Sequence, residues 1–146
     1  MPRYSAGVKT GAGSTTLPLI SLYSSAAVGP KIREIGVFNT TTTAVDIKLV
    51  RMTTAGTQGA GLTEGKHDPD SAAAACTAFT THSSTGPTLG DDLGYRASLG
   101  AAIGAGVIWT FGDNGLRITI GTANGVGVII ENGTGQALQA YIVWDE

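Results

Sequence analysis

The chain carries a single cysteine, Cys76, among its 146 residues, so no internal disulfide can form. Charge is equally scarce. Charged side chains make up 14% of the residues where about 25% is usual, and nine Lys and Arg against eleven Asp and Glu leave a formal charge of -2. No cationic run is present to collect phosphates, which argues against nucleic acid as a partner. No stretch approaches the roughly 20 consecutive apolar residues of a membrane helix. Residues 1–9 lack the apolar segment of an export signal, so the expectation is a soluble product made inside a cell, with no membrane partner. Aromatic residues are few at 6%, too sparse for a base-stacking platform.

What is abundant is glycine, at 22 residues about twice the usual share of roughly 7%, together with apolar residues that alternate with a period of two. Val45, Ile47 and Leu49 alternate with Asp46 and Lys48; Leu116, Ile118 and Ile120 alternate with Arg117 and Thr119. That period places alternate side chains on opposite faces of a strand. Gly/Asn turns punctuate the C-terminal third at Gly112-Asp113-Asn114-Gly115, Gly121-Thr122-Ala123-Asn124-Gly125 and Asn132-Gly133-Thr134-Gly135. The first of these predicts a hairpin between a strand ending at Phe111 and one starting at Leu116. About eight strands are expected in all, and the one helix-like run, Ser71–Ala75, is too short to organise a fold. The fold class is therefore all-β, an antiparallel β-sandwich.

Two segments depart from the strand-and-turn pattern. Residues 1–16 are small and polar, and predict an N-terminal arm ordered only against another molecule, whose loss would cost the domain, residues 17–146, less than about 1 kcal/mol. Residues 55–91 form a long excursion rich in Ala, Gly, Thr and Ser, expected to lie at the surface and hold an interface.

Catalytic patterns are weak. His67, Asp68, Asp70, Cys76 and His82 are metal-ligand types, but their spacing lacks the close pairs of zinc sites, so no metal or other cofactor is expected. Ser98 lacks the first glycine of a nucleophile elbow. Asp91 and Asp92, adjacent on a strand, point to opposite faces and cannot converge on one substrate atom. None of the Gly-x-Gly pairs extends to a phosphate-binding loop. Trp109, Phe111 and Trp144 occupy alternating positions that predict core packing. An enzyme is not the expectation.

The stretches Arg33-Glu34-Ile35-Gly36-Val37-Phe38-Asn39-Thr40, Leu49-Val50-Arg51, Gly86-Pro87-Thr88-Leu89-Gly90 and Ala140-Tyr141-Ile142-Val143-Trp144, taken in order, resemble the capsid decoration, or head-cement, proteins of tailed bacteriophages. The resemblance covers most of the chain in length and segment order, and its motifs are scaffold-like. It implies a sandwich of jelly-roll kind, located on the capsid exterior of a virion after synthesis in the host cytoplasm. It also implies binding to the major capsid protein as a homotrimer that reinforces contacts between capsomers. It carries over no catalytic or cofactor site. Arg3, Tyr4 and Lys9, in the predicted arm, are the candidate capsid contacts. The alternative is a binding module of a virion surface or tail fibre, recognising carbohydrate or a host receptor.

Overall fold

The computed structural model describes residues 1–146. It contains eleven β-strands and no helix: β1 (Arg3–Lys9), β2 (Ile20–Tyr23), β3 (Lys31–Asn39), β4 (Val45–Met52), β5 (Gly65–Lys66), β6 (Thr77–Phe79), β7 (Leu89–Leu99), β8 (Gly106–Thr110), β9 (Leu116–Arg117), β10 (Gly125–Gly133) and β11 (Leu138–Asp145). They form two antiparallel sheets packed face to face. Sheet A has the order β5-β1-β11-β3-β8, with β9 also on β3; sheet B has the order β6-β2-β10-β4-β7.

Setting aside the short β5, β6 and β9, the remaining strands pair in a nested way, first with last and inward from there. β1 pairs with β11, β2 with β10, β3 with β8 and β4 with β7. A long antiparallel ribbon rolled into two layers has this nesting, and it is the topology of a jelly roll. Of the links between successive main strands, only that from β4 to β7 stays within one sheet. The Gly/Asn and Thr turns therefore carry the chain across the sandwich.

The core is made by the alternating residues the sequence singles out. Ile35, Val37, Ile142, Leu138 and Trp144 from sheet A meet Leu22, Ile47, Leu49, Val126 and Val128 from sheet B in one buried cluster. Where alternation breaks, a bulge restores it. Trp144 pairs with Ile32 and Val143 with Glu34, leaving Arg33 as the extra residue, so Ile32 and Ile35 both face inward although three apart.

That bulge also explains why the expected hairpin at residues 112–115 does not form. β8 and β9 do not pair with each other; both run antiparallel to β3, β8 along Glu34–Phe38 and β9 along Lys31 and Ile32. The amide of Phe111 donates to Arg33 O and that of Ile118 to Pro30 O, so residues 106–118 track a single edge. Gly112 and Gly115, both at positive φ, let residues 112–115 loop out. The Arg33 guanidinium donates to the carbonyls of Gly112 and Asp113 and holds the loop in place.

The predicted N-terminal arm is corrected: residues 3–9 are an interior strand of sheet A, between β11 and β5. Tyr4 and Ala6 belong to the core, and Tyr4 stacks on Trp144 with ring centroids 5.9 Å apart. Small residues misled because β1 needs few large side chains of its own; its neighbours supply them.

The excursion lies at the surface as expected, with only Cys76, Ala78, His82 and Pro87 buried among residues 55–91, but it contributes strands and core residues as well. Its β5 extends sheet A, its β6 extends sheet B, and Cys76 and Ala78 sit in the core. Its two limbs bond to each other through Thr53 N to Thr88 O and Ser83 N to Thr57 O. With residues 14–19, bonded to β10 through Ile130 N to Ser14 O and Leu19 N to Val128 O, they lie over one part of the outer face of sheet B, where Tyr23, Val50, Met52 and Ile129 are buried outside the main core. His82 fastens this layer. It is 2% exposed, its Nε2 donates to Ala55 O at 2.8 Å and its own amide donates to Pro18 O. Because a carbonyl only accepts, Nε2 carries the proton and Nδ1, which has no partner, is bare.

Two outcomes follow. Tyr4→Ala removes a buried ring from the core and lowers the unfolding free energy by about 3–5 kcal/mol, measured by urea denaturation; a change below 1 kcal/mol would restore the arm reading. Burial holds the His82 pKa below its ordinary value of 6.5, with the Ala55 hydrogen bond opposing. The unfolded chain therefore takes up a proton at a higher pH than the folded one. Stability is at its full value above pH about 6.5 and declines as pH falls through that range. His82→Gln flattens this slope in denaturation curves taken between pH 7 and 5, a window above the one in which the depressed carboxylates Asp145 and Asp92 act.

Candidate interface on the outer face of sheet A

The outer face of sheet B is in part covered and in part charged, with Asp46, Arg96, Ser98 and Glu131 around an open depression, whereas the outer face of sheet A is a broad uncovered surface. Its side chains follow from strand register. One row across the sheet runs Ile108, Gly36, Tyr141, Gly7; the next on one side runs Thr110, Glu34, Val143, Ser5, and on the other Gly106, Phe38, Gln139, Lys9. The glycines in these rows make room for the aromatics. A Cβ on Gly36 would lie 2.2 Å from the Tyr141 ring, and one on Gly106 would lie 2.2 Å from the Phe38 ring. Tyr141 and Phe38 therefore lie flat across their neighbours and leave a low apolar strip. Ile108, 52% exposed, ends this strip at the β8 edge. The Tyr141 hydroxyl donates to Glu34 Oε1 at 2.5 Å, and burial, followed by the Glu34 bond and charge, pushes its pKa up to about 12.

Cations stand at the two ends of β1. Lys9 is exposed and takes part in none of the ion pairs of the structure. Arg3, also on the outer face, donates from Nε and Nη2 to Asp145 at 2.6 and 3.1 Å, and Arg33 Nε donates to the same carboxylate at 2.5 Å. The Arg3 bonds, assisted by those of Arg33 and opposed by burial, hold Asp145 below the ordinary carboxylate range. The two arginines so locked bind β1, β3 and β11 together at one end of the sheet.

Of the three contact candidates, then, Arg3 and Lys9 share the open face and Tyr4 does not. Tyr4 is 1% exposed on the opposite side of β1, its hydroxyl donating to Ala72 O at 2.9 Å. Alternation in a strand separates Tyr4 from Arg3 by construction. Phe38, Ile108 and Tyr141 were missed as surface candidates; the signal was available, since period two puts all three opposite the core residues Val37, Trp109 and Ile142.

The ligand-type residues of the excursion do not converge. His67 and Asp68 line an open cleft of about 560 Å³ with Met1, Pro2, Arg3 and Ser71, whereas Cys76 and His82 are buried. No group of three or more His, Cys, Asp or Glu side chains is placed to share a metal ion. The Cys76 thiol is pushed up to about 12, chiefly by burial and then by Glu146, so it stays protonated at neutral pH. Asp92 accepts from Gly94 N and pairs with Lys48 and Arg96, a structural use of the Asp91-Asp92 step.

Gly36→Ala tests the packing of the open face. The new methyl displaces the Tyr141 ring and breaks its bond to Glu34, so the Tyr141 pKa falls from about 12 toward 10, read by spectrophotometric titration against a Tyr141→Phe control. An unchanged titration would show that the ring is held by something other than its seat on Gly36. Comparison with known proteins adds no relative to this picture: no family model, curated protein or solved structure matches the chain.

Proposed function

We propose that this chain is a structural protein of a tailed-phage virion, binding the outside of the capsid and reinforcing contacts between capsomers. The observation that supports the reading is the open face of sheet A. It is broad and held by central strands, with an apolar strip of Phe38, Ile108, Tyr141 and Val143 between Arg3 and Lys9. A shell protein is met by such a face as one surface meets another, over many small contacts. The proposed partner is the major capsid protein, engaged by three copies of this chain at local threefold positions. Symmetry then repeats each weak contact, and attachment through several copies exceeds the affinity of one.

The test uses two face residues outside the core and outside every ion pair. Lys9→Glu and Ile108→Asp, combined, leave the melting temperature within a few degrees, while binding to shells of the cognate major capsid protein falls at least tenfold by co-sedimentation. Full occupancy by the double variant would overturn the proposal, as would a particle reconstruction in which the opposite face of the sandwich meets the shell.

A further inference from the structure

Sheet A ends on one side at β8, and this edge is bare. β8 pairs only with β3. The Asn39 amide donates to Ala105 O and the Phe111 amide to Arg33 O, so the backbone groups of residues 105, 107, 109 and 111 turn toward β3, and those of Gly106, Ile108 and Thr110, alternating with them, turn away. Those three residues are exposed, and none of their amides or carbonyls finds a backbone partner.

The other sheet edges are blunted. β5 and β6 are 2 and 3 residues long, and β7 is kinked at Gly94 and carries Asp91, Asp92 and Arg96. β8 has no such device: from Ala101 to Phe111 the chain holds no charged residue and no proline. An edge in this state is a template for another strand. Among the large apolar side chains that the molecule exposes, Tyr95, Ile103 and Ile108 lie on this edge or beside it, Ile103 being 74% exposed.

The strand that fits is β8 itself. Placed antiparallel about a twofold axis at Ile108, two copies set Ile108 opposite Ile108, and Gly106 of each opposite Thr110 of the other. In this register every outward amide of the pair meets an outward carbonyl, whereas a slip of two residues either way leaves one position on each copy unmatched. A residue on a twofold axis meets its own copy, so a charge there would face a like charge. Ile108 instead brings one apolar side chain beside another. Gly106 has no side chain to obstruct Thr110 across the join, and the outer-face row Tyr141, Gly36, Ile108 runs on into the same row of the second copy.

We propose that this edge pairs with the same edge of a second copy, joining the two copies of sheet A into one sheet that runs through both molecules. The contact does not rest on the capsid reading, and because its symmetry is twofold it links copies that belong to different threefold groups. So short a ribbon buries less than a standard interface, so the pairing is weak in free solution, with a Kd of about 0.1 mM.

Sedimentation equilibrium of the full chain, from about 10 µM to about 1 mM so as to bracket that constant, shows a monomer–dimer equilibrium. Over the same range the amides of Gly106, Ile108 and Thr110 become protected from hydrogen exchange, whereas those of Val107 and Trp109, already turned to β3, are protected at every concentration. Thr110→Pro removes an outward donor from each copy and no bond to β3, a change an edge strand accommodates. It weakens the dimer at least about tenfold and leaves the melting temperature within a few degrees. Thr110→Val, which keeps the donor, dimerises like the parent. Should the proline variant fail to fold, Ile108→Lys sets two like charges face to face on the axis and abolishes the dimer without altering the backbone. The proposal is overturned by a monomer throughout the range, by a dimer that Thr110→Pro and Ile108→Lys leave intact, or by protection of these amides that appears only when the major capsid protein is added.

Discussion

The pairing of β1 with β11 is the contact on which the rest of the sandwich depends. It joins the two ends of the chain in the interior of one sheet, and every other main-strand pair nests inside it. Tyr4 against Trp144 closes the core across this pair, and Asp145 on the outer side accepts from Arg3 and Arg33. Stacking and charge-assisted hydrogen bonds therefore fasten the same two strands from opposite faces. A jelly roll is made almost wholly of contacts between residues distant in sequence, and such a topology folds slowly because loop closure is costly before the contacts form. Fixing the ends together, Arg3 beside Asp145, is the longest of those closures.

The two outer faces of the sandwich have different fates, and the difference comes largely from one connection. Only the link from β4 to β7 returns to its own sheet, and because these two strands are neighbours and need no long bridge, its length is free for other uses. With residues 14–19, it folds back over part of sheet B, where Tyr23, Val50, Met52 and Ile129 are buried. Sheet A receives no such cover. Its outer face is kept low by aromatics lying over glycines, and this gives the molecule one flat open side.

The β7 edge of sheet B is managed by local devices. Gly94 at positive φ and the Asp92 side chain bonded to its amide kink β7, with register shifts against β4 along its length. A kinked, charged edge resists pairing with another chain. The kink also places Tyr95 edge-on to Phe111 at 5.1 Å and to Trp109 at 6.4 Å, so the side of the sandwich between β7 and β8 is closed by aromatics.

The sequence by itself determined the class of fold, the core and the scarcity of helix, because alternation, β-branched residues and Gly/Asn turns act locally. Of the strands it pointed to, the one starting at Leu116 is the short β9, and β1 was not among them because residues 3–9 read as an arm. It could not say which strand would lie beside which. The turn at residues 112–115 has the composition of a hairpin loop, yet a bulge at Arg33, far away in sequence, holds it as an outward loop in one edge. The N-terminal residues look unanchored until β11 and β5 lie on either side of them. Of the three contact candidates, the separation of Tyr4 from Arg3 and Lys9 follows from the period of a strand, but only once residues 3–9 are known to be one. Which face would be covered was decided by tertiary structure alone, because burial of an outer face depends on where a distant loop comes to rest.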